Sequence, residues 1–282
     1  MGYREEFIVK PGAKVHLDRI DPAYKGKHDS HEKAAPEIAT SLEQMDRLQN
    51  LLYADARESL LVVLQAPDAA GKDGVIRHLF TGMNPQGTRV VSFKQPSAEE
   101  RAHDFLWRVH HNAPARGEIV IYNRSHYEDV LVVRVHDLVP REIWSKRYDM
   151  INDFEKLLAA NGTRILKFYL HISPGEQLAR FKQRLDDPQR QWKISESDYT
   201  ERKLWPQYVE AYEEAIERTS TSAAPWFVIP ADHKWFRNLA TAQIISDTMH
   251  DMGLKLPAPR VDLAEMQRKY HAAADDPVPT KR

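Results

Sequence analysis

The chain has 282 residues, enough to bury a substantial core, and is most simply one α/β domain with a long insertion. Its 40 Lys and Arg nearly cancel 41 Asp and Glu, so no global field draws it onto nucleic acid or an anionic membrane, and any polyanion site must be a local basic cleft. With no cysteine, disulfides, thiolate nucleophiles and Cys-ligated metal centres are excluded; no apolar signal core or run of about 18 apolar residues is present, and cytoplasmic is the default compartment.

Residues 1–36 carry Pro11, Pro22, Gly26, Pro36 and many charges, and read as an irregular arm. There is no His-Glu-x-x-His pair among the 13 histidines, and His28 with His31, in a Lys-rich segment, reads as solvated arm rather than metal site. From Glu37 the residues Ile38, Leu42, Met45, Leu48, Leu52 and Ala56 recur at helical spacing. An apolar strand from Leu60 runs into a small-residue loop, with Gly71 and Lys72 opening a helix that continues to about Thr81. The next strand is Arg89 to Phe93, followed by a helix over about Glu99 to His111. Ile119 to Tyr122 is a short apolar run of the kind buried on both faces of a parallel sheet. A helix spans Pro140 to Ala160, with Gly162 just past its end. Strands Ile165 to His171 and Trp226 to Pro230 bring the count to about five, and Trp235 to Met252 closes the fold. This alternation implies a parallel sheet covered on both sides by helices. The segment from Ser173 to Ala223 is too long for a plain connection and must form helices of its own. The division is thus an arm (1–36), a domain (37–255) with a helical insertion at about 174–222, and a tail (256–282).

The loop Ala66-Pro-Asp-Ala-Ala-Gly-Lys72 has the layout of a phosphate cradle, in which backbone N–H groups and a helix N-terminus converge on phosphate oxygens and a lysine adds a full charge. It departs from G-x-x-x-x-G-K-[ST] at Ala66 and at Asp73, where a Mg²⁺-binding hydroxyl is usual. Asp68 is the obvious substitute, since Mg²⁺ needs only one or two protein carboxylates beside substrate phosphates. The bland reading makes Asp68 the helix cap of an ordinary strand-to-helix turn.

The strand ending at Tyr122 leads into Asn123-Arg124-Ser125-His126-Tyr127-Glu128-Asp129, at the sheet edge where open α/β folds place ligands. Were this segment helical, Arg124 and Glu128 would fall one turn apart as a simple ion pair. In the insertion Arg180 and Arg184 share a face, followed by Arg190 and Lys193; they fit either a clamp on a phosphate chain or a solvated helix balanced by Asp186 and Asp187. Phosphoryl transfer needs in-line positioning and positive charge more than covalent help, and Lys72, Arg124, Arg180, Arg184 and Asp68 supply the parts.

Three motifs occur in order: D-x-x-G-K-x-G from Asp68, N-R-S-H-Y-E-D-V from Asn123, and R-F-x-x-R-x-x-x-P…W-K from Arg180 to Lys193. Together they resemble the type-two polyphosphate kinase family over roughly residues 35–255. The resemblance implies a three-layer P-loop kinase fold similar to thymidylate kinase, with a helical lid. It implies Mg²⁺-dependent transfer between inorganic polyphosphate and nucleotides. Asp68 would handle the metal and the acceptor phosphate, Lys72 and Arg124 would be catalytic, and Gly71, Lys72, Arg124, Arg180, Arg184 and Lys193 would line the polyphosphate path. Asn84, Asn123, Glu128 and Asp129 fall where the nucleotide would bind. Many relatives read D-R-S-W-Y-N-R at the strand tip, and the N-R-S-H-Y-E-D form here is similar to the subgroup accepting nucleoside monophosphates as well as diphosphates. Self-association is expected, with Trp107, Trp144, Trp205 and Trp235 fitting either an interface or the core. An ATP-dependent small-metabolite kinase and a non-catalytic nucleotide or polyphosphate sensor are the competing readings.

Overall fold

The computed structural model describes residues 2–81 and 83–275. In chain order the elements are α1 (Tyr3–Phe7), β1 (Ile8–Val9), α2 (His31–Asp55), β2 (Ser59–Gln65), α3 (Lys72–Leu79), β3 (Thr88–Ser92), α4 (Ala98–Arg101) and α5 (Trp107–His111). There follow β4 (Ile119–Asn123), α6 (Val132–Val135), α7 (Arg141–Ala160), β5 (Thr163–His171), α8 (Pro174–Asp186), α9 (Glu196–Lys203), α10 (Trp205–Thr219), β6 (Trp226–Pro230), α11 (Lys234–Asp251) and α12 (Leu263–Asp275).

The sheet order is β1-β6-β5-β2-β4-β3, with every pairing parallel except β1 with β6. Strand β2 sits in the middle because its side chains are apolar on both faces: Leu60, Val62 and Leu64 join the core under α2 and α11, while Leu61 and Val63 join the core under α7 and α10. Each of these five residues is fully buried and contributes about 1.5–3 kcal/mol relative to exposure. Leu64 is level with Asn123 of β4 and Phe168 of β5, so the loops after β2 and β4 leave the sheet side by side at its carboxyl edge.

The sheet has six strands where about five were expected, and the sixth comes from the arm. Ile8 and Val9 pair antiparallel with Phe227 and Trp226, and Tyr3, Val15 and Leu17 are buried. A two-residue strand leaves no alternating pattern to read. Helix α2 begins at His31, six residues upstream of the expected start, with Pro36 inside it. The Ser30 side chain accepts the Lys33 N–H, and Ala34 is wholly buried, so packing offsets the proline. The helix expected over 99–111 is two short ones, interrupted where the Asp104 carboxylate accepts the Leu106 N–H. The insertion forms α8, α9 and α10 as expected. The tail carries α12, and its residues 276–282 lie outside the described residues. Of the four tryptophans expected at an interface or in the core, Trp144 is buried, Trp205 and Trp235 pack against the core, and Trp107 stacks between His103 and His111. Among the described residues no helix is long and apolar enough to cross a membrane.

Candidate active site

The loop after β2 is shaped by two arginines from beneath. Arg180 of α8 donates through Nη1 to the carbonyls of Ala69 (3.0 Å) and Ala70 (2.9 Å), and Arg237 of α11 donates through Nη1 to Ala70 (2.8 Å). Gln177 Nε2 holds the Asp68 carbonyl at 3.0 Å. With these carbonyls engaged below, the loop turns through positive φ at Ala69 (63°) and Gly71 (101°). The first N–H groups of α3, at Lys72, Asp73 and Gly74, have no acceptor within the helix, and all three residues line an open groove. A helix start of this kind suits an anion. Lys72 Nζ donates to the Ala66 carbonyl at 2.9 Å; burial pulls its pKa down, and Asp68 opposes that shift.

Arg180 was expected on the polyphosphate path. It is 5 % exposed, and its Nη2 also donates to the carbonyls of Ala231 (2.6 Å) and Asp232 (2.9 Å). Its Nη donors all go to backbone carbonyls and its Nε donates to Glu176 at 2.8 Å, so it holds the loop from the groove wall. Burial, then the neighbouring Arg180, brings the Arg237 pKa down to about 9.

At the β4 tip Arg124 takes φ 62°, a strained turn that swings its guanidinium to Asp68, with Nη2 to Oδ1 3.3 Å. The segment beyond is a 3-10 turn (His126–Asp129), so the one-turn ion pair of Arg124 with Glu128 does not form as such. Burial would lower the Arg124 pKa, but Glu128 and Asp68 outweigh it and raise it. Burial raises the Glu128 carboxyl, with Arg124 and Lys72 opposing.

His126 and Tyr127 of the same motif face the core. Glu155 of α7 accepts from Lys167 Nζ of β5 (2.6 Å) and from Tyr127 OH (2.9 Å), and its Oε1 lies 3.2 Å from His126 Nε2. Lys167 also donates to the Thr219 carbonyl of α10 at 2.6 Å. One buried network thus fixes the strand tip that aims Arg124 and Glu128, and ties it to the base of the lid.

Two clefts flank the Asp68–Arg124 pair, and both residues line each of them. The first, about 670 Å³, is a basic groove with Lys72, Arg77, Arg184, Arg190, Lys193 and Lys234 against Asp73 and Asp187. Arg184 Nη1 is 3.4 Å from Asp198, Lys193 Nζ is 3.9 Å from Asp73, and Trp192 stands 78 % exposed at the wall. The second, about 310 Å³, is roofed by α9 and α10 and lined by Glu128, His136, Glu201, Arg202, Tyr208 and Tyr212. There Glu201 Oε2 accepts from Tyr208 OH at 2.7 Å and lies 3.0 Å from His136 Nε2.

Three residues expected at the nucleotide lie outside the roofed cleft. Asn84 caps a 3-10 turn by accepting the Gln86 N–H at 3.0 Å and lines neither cleft. Asp129 turns inward to Arg147 (3.2 Å) and lines neither cleft. Asn123 lines the basic groove, donating to Asp73 at 3.0 Å. Glu128 and Asp68 line the roofed cleft. Sequence reasoning missed Arg237 and Lys234. Their signal was legible: two cations in the first turn of a helix oppose its macrodipole, an arrangement that suits a nearby anion or buried carbonyls.

A P-loop kinase fold with a cationic groove and a second, roofed cleft meeting at one carboxylate defines a phosphotransferase class. The family model for polyphosphate kinase 2 matches residues 27–257, and the chain belongs to that family. It is 49 % identical over 256 residues to an AMP/ADP-polyphosphate phosphotransferase of Meiothermus ruber, covering 90 % of this chain and 96 % of that protein. It is 44 % identical to an ADP-polyphosphate phosphotransferase of Rhodopseudomonas palustris, covering 94 % and 97 % respectively. The crystal structure of polyphosphate kinase 2 from Arthrobacter aurescens TC1 superposes with a TM-score of 0.93 at 37 % identity, covering 96 % of this chain and 97 % of that one.

Proposed function

We propose that this chain transfers a phosphoryl group between inorganic polyphosphate in the basic groove and a nucleotide in the roofed cleft, across the Asp68–Arg124 pair. The observation that carries this reading is that the two clefts share those two residues and differ in character, one dominated by cations and one lined by tyrosines and carboxylates. A polymeric anion needs a run of cations, whereas a nucleotide needs apolar and hydrogen-bonding surface for its base and sugar.

In the direction of nucleotide synthesis, an oxygen of the acceptor's terminal phosphate bonds to the terminal phosphorus of polyphosphate as the bridging P–O bond breaks, leaving the chain one unit shorter. Lys72, Arg124 and the first N–H groups of α3 stabilise the charge that develops on the migrating group. Helices α9 and α10 exclude water from the acceptor side, which limits hydrolysis. The Asp68 carboxylate is about one third exposed between the clefts, with only Oδ1 against Arg124. A lone carboxylate beside phosphates suits Mg²⁺, which retains waters and completes its shell with substrate oxygens. When bound there, the ion would neutralise phosphate charge and align the reacting groups.

The acceptor range is AMP and ADP, as supported by the Meiothermus ruber relative, with guanine nucleotides and the reverse reaction as extensions of the same chemistry. A cytoplasmic location and self-association belong to the same reading. The test is turnover by purified protein with Mg²⁺ and long-chain polyphosphate, offering AMP and ADP separately. ADP from AMP and ATP from ADP are expected; phosphorylation of a small metabolite by ATP with polyphosphate inert would overturn the reading.

A further inference from the structure

Three successive carbonyls of the phosphate loop rest on helix α8. Gln177 holds that of Asp68, and Arg180, almost one turn further on, holds those of Ala69 and Ala70. Gln177 is only 3 % exposed, and the other end of its amide faces the lid. Arg202 of α9 donates through Nη1 to Gln177 Oε1 at 2.8 Å and to the carbonyl of Pro174, at the start of α8, at 2.8 Å. A single buried side chain thus joins α9 to the backbone of Asp68.

The two partners dictate the chemistry of the residue between them. A guanidinium only donates and a carbonyl only accepts, so the bridging group must accept at one end and donate at the other. A glutamine amide does both, and this pair of partners fixes which way it points. An ionised glutamate has no donor for the loop, and an aliphatic side chain serves neither end. Gln177 and Arg202 line the roofed cleft and not the basic groove, so the chain of bonds runs along the nucleotide side. Another tie between α8 and α9, Arg184 Nη1 with Asp198 at 3.4 Å, starts from a groove residue and reaches no loop carbonyl.

We propose that Gln177 is a positioning residue for the transfer, an inference that rests on the reading of the two clefts given above. It passes the seating of α9 over the nucleotide to the backbone of Asp68. With α9 in place, Arg202 holds the amide in one orientation and the loop is fixed at Asp68 as well as at Ala69 and Ala70. With α9 lifted, Gln177 Oε1 loses its donor and the amide is free to turn away from the loop. Polyphosphate in the groove then meets an ordered Asp68 only when an acceptor is enclosed on the other side.

Gln177→Leu should lower kcat about ten- to a hundredfold, the scale of a small misplacement at a reacting centre, and leave the polyphosphate KM within about twofold of wild type. Arg202→Met should lower kcat too, but add little in the Gln177→Leu background, because both cut the same chain. Gln177→Glu, which keeps the acceptor and loses the donor, should behave like Gln177→Leu, while Arg202→Lys, which keeps a donor for Oε1, should recover part of the loss. Melting curves of each variant check folding. Independently of turnover, hydrogen exchange of the nucleotide-free protein should be at least about threefold faster over residues 68–71 in Arg202→Met, with β5 unchanged. A wild-type chain inert with polyphosphate and both nucleotides would sink the reading of the clefts, whereas faster loop exchange in Arg202→Met would still show the link. An unchanged kcat in Gln177→Leu, losses that multiply in the double variant, or loop exchange indifferent to Arg202→Met would each overturn the proposal.

Discussion

Gly71 and Arg237 share one volume: an ideal Cβ on Gly71 would fall 2.0 Å from Arg237 Nη1. The bare glycine lets the guanidinium reach the Ala70 carbonyl, and its φ of 101° suits no other residue. Gly71→Ala should cost about 1–3 kcal/mol in urea melts and reduce turnover sharply. The cost should be smaller in an Arg237→Ala background, because part of it is the clash between the two. Equal costs in both backgrounds would assign the whole effect to backbone strain.

Asp68→Asn and Lys72→Ala should each lower turnover by on the order of 10² or more, the scale of one lost preorganised electrostatic contact, with little change in melting temperature. Turnover near wild type in either variant would remove that residue from the chemistry.

Arg184→Ala combined with Lys193→Ala should raise the polyphosphate KM by about tenfold or more and leave the nucleotide KM nearly unchanged, because both side chains line only the basic groove. The dependence of that KM on salt should become shallower by about one unit of slope per lost contact, as for other polyanions. A shift in the nucleotide KM instead would exchange the roles of the two clefts.

The Lys167–Glu155 pair is fully buried, at 2.6 Å. Lys167→Met alone strands a carboxylate in the core and should destabilise by about 3–5 kcal/mol in denaturant melts. Adding Glu155→Gln should recover part of the loss. No recovery would mean that Lys167 acts through packing alone.

Burial raises the Glu128 carboxyl above its ordinary range, with Arg124 and Lys72 opposing. Below about pH 4, folded and unfolded chains both hold this proton and the group is neutral in the balance. As pH rises from the ordinary value to the raised one, the unfolded chain ionises first and the folded state loses stability. Glu128→Gln should therefore melt higher than wild type at pH 7, with the gain vanishing toward pH 4, while nucleotide turnover falls. A gain that persists in acid would point to another cause.

The sheet was legible because runs such as Ile119 to Tyr122 are apolar on both faces, and the loop because Gly71 and Lys72 follow a buried strand. Ile8 and Val9 were not, since a two-residue edge strand is made by its partner β6 rather than by its own pattern. Arg180 and Arg184 look equivalent one turn apart, yet α8 leans on the loop at Arg180 and leaves Arg184 at the groove, a difference set by helix placement. Asp129 falls, by the family resemblance, where a nucleotide would bind. The tight turn at His126–Asp129 directs Glu128 to the cleft and its neighbour inward. Residues such as His136, Glu201 and Tyr208 come together only through the lid, from positions with no common motif.

The unequal covering of the two clefts bears on how successive turnovers are linked. On the proposed assignment, the nucleotide sits beneath α9 and α10 and must leave past them after each transfer. The polymer lies along an open cationic trough and has no such barrier to sliding forward by one unit. The enzyme would then be processive toward the chain and distributive toward the nucleotide, drawing down one long polymer through many acceptors before releasing it.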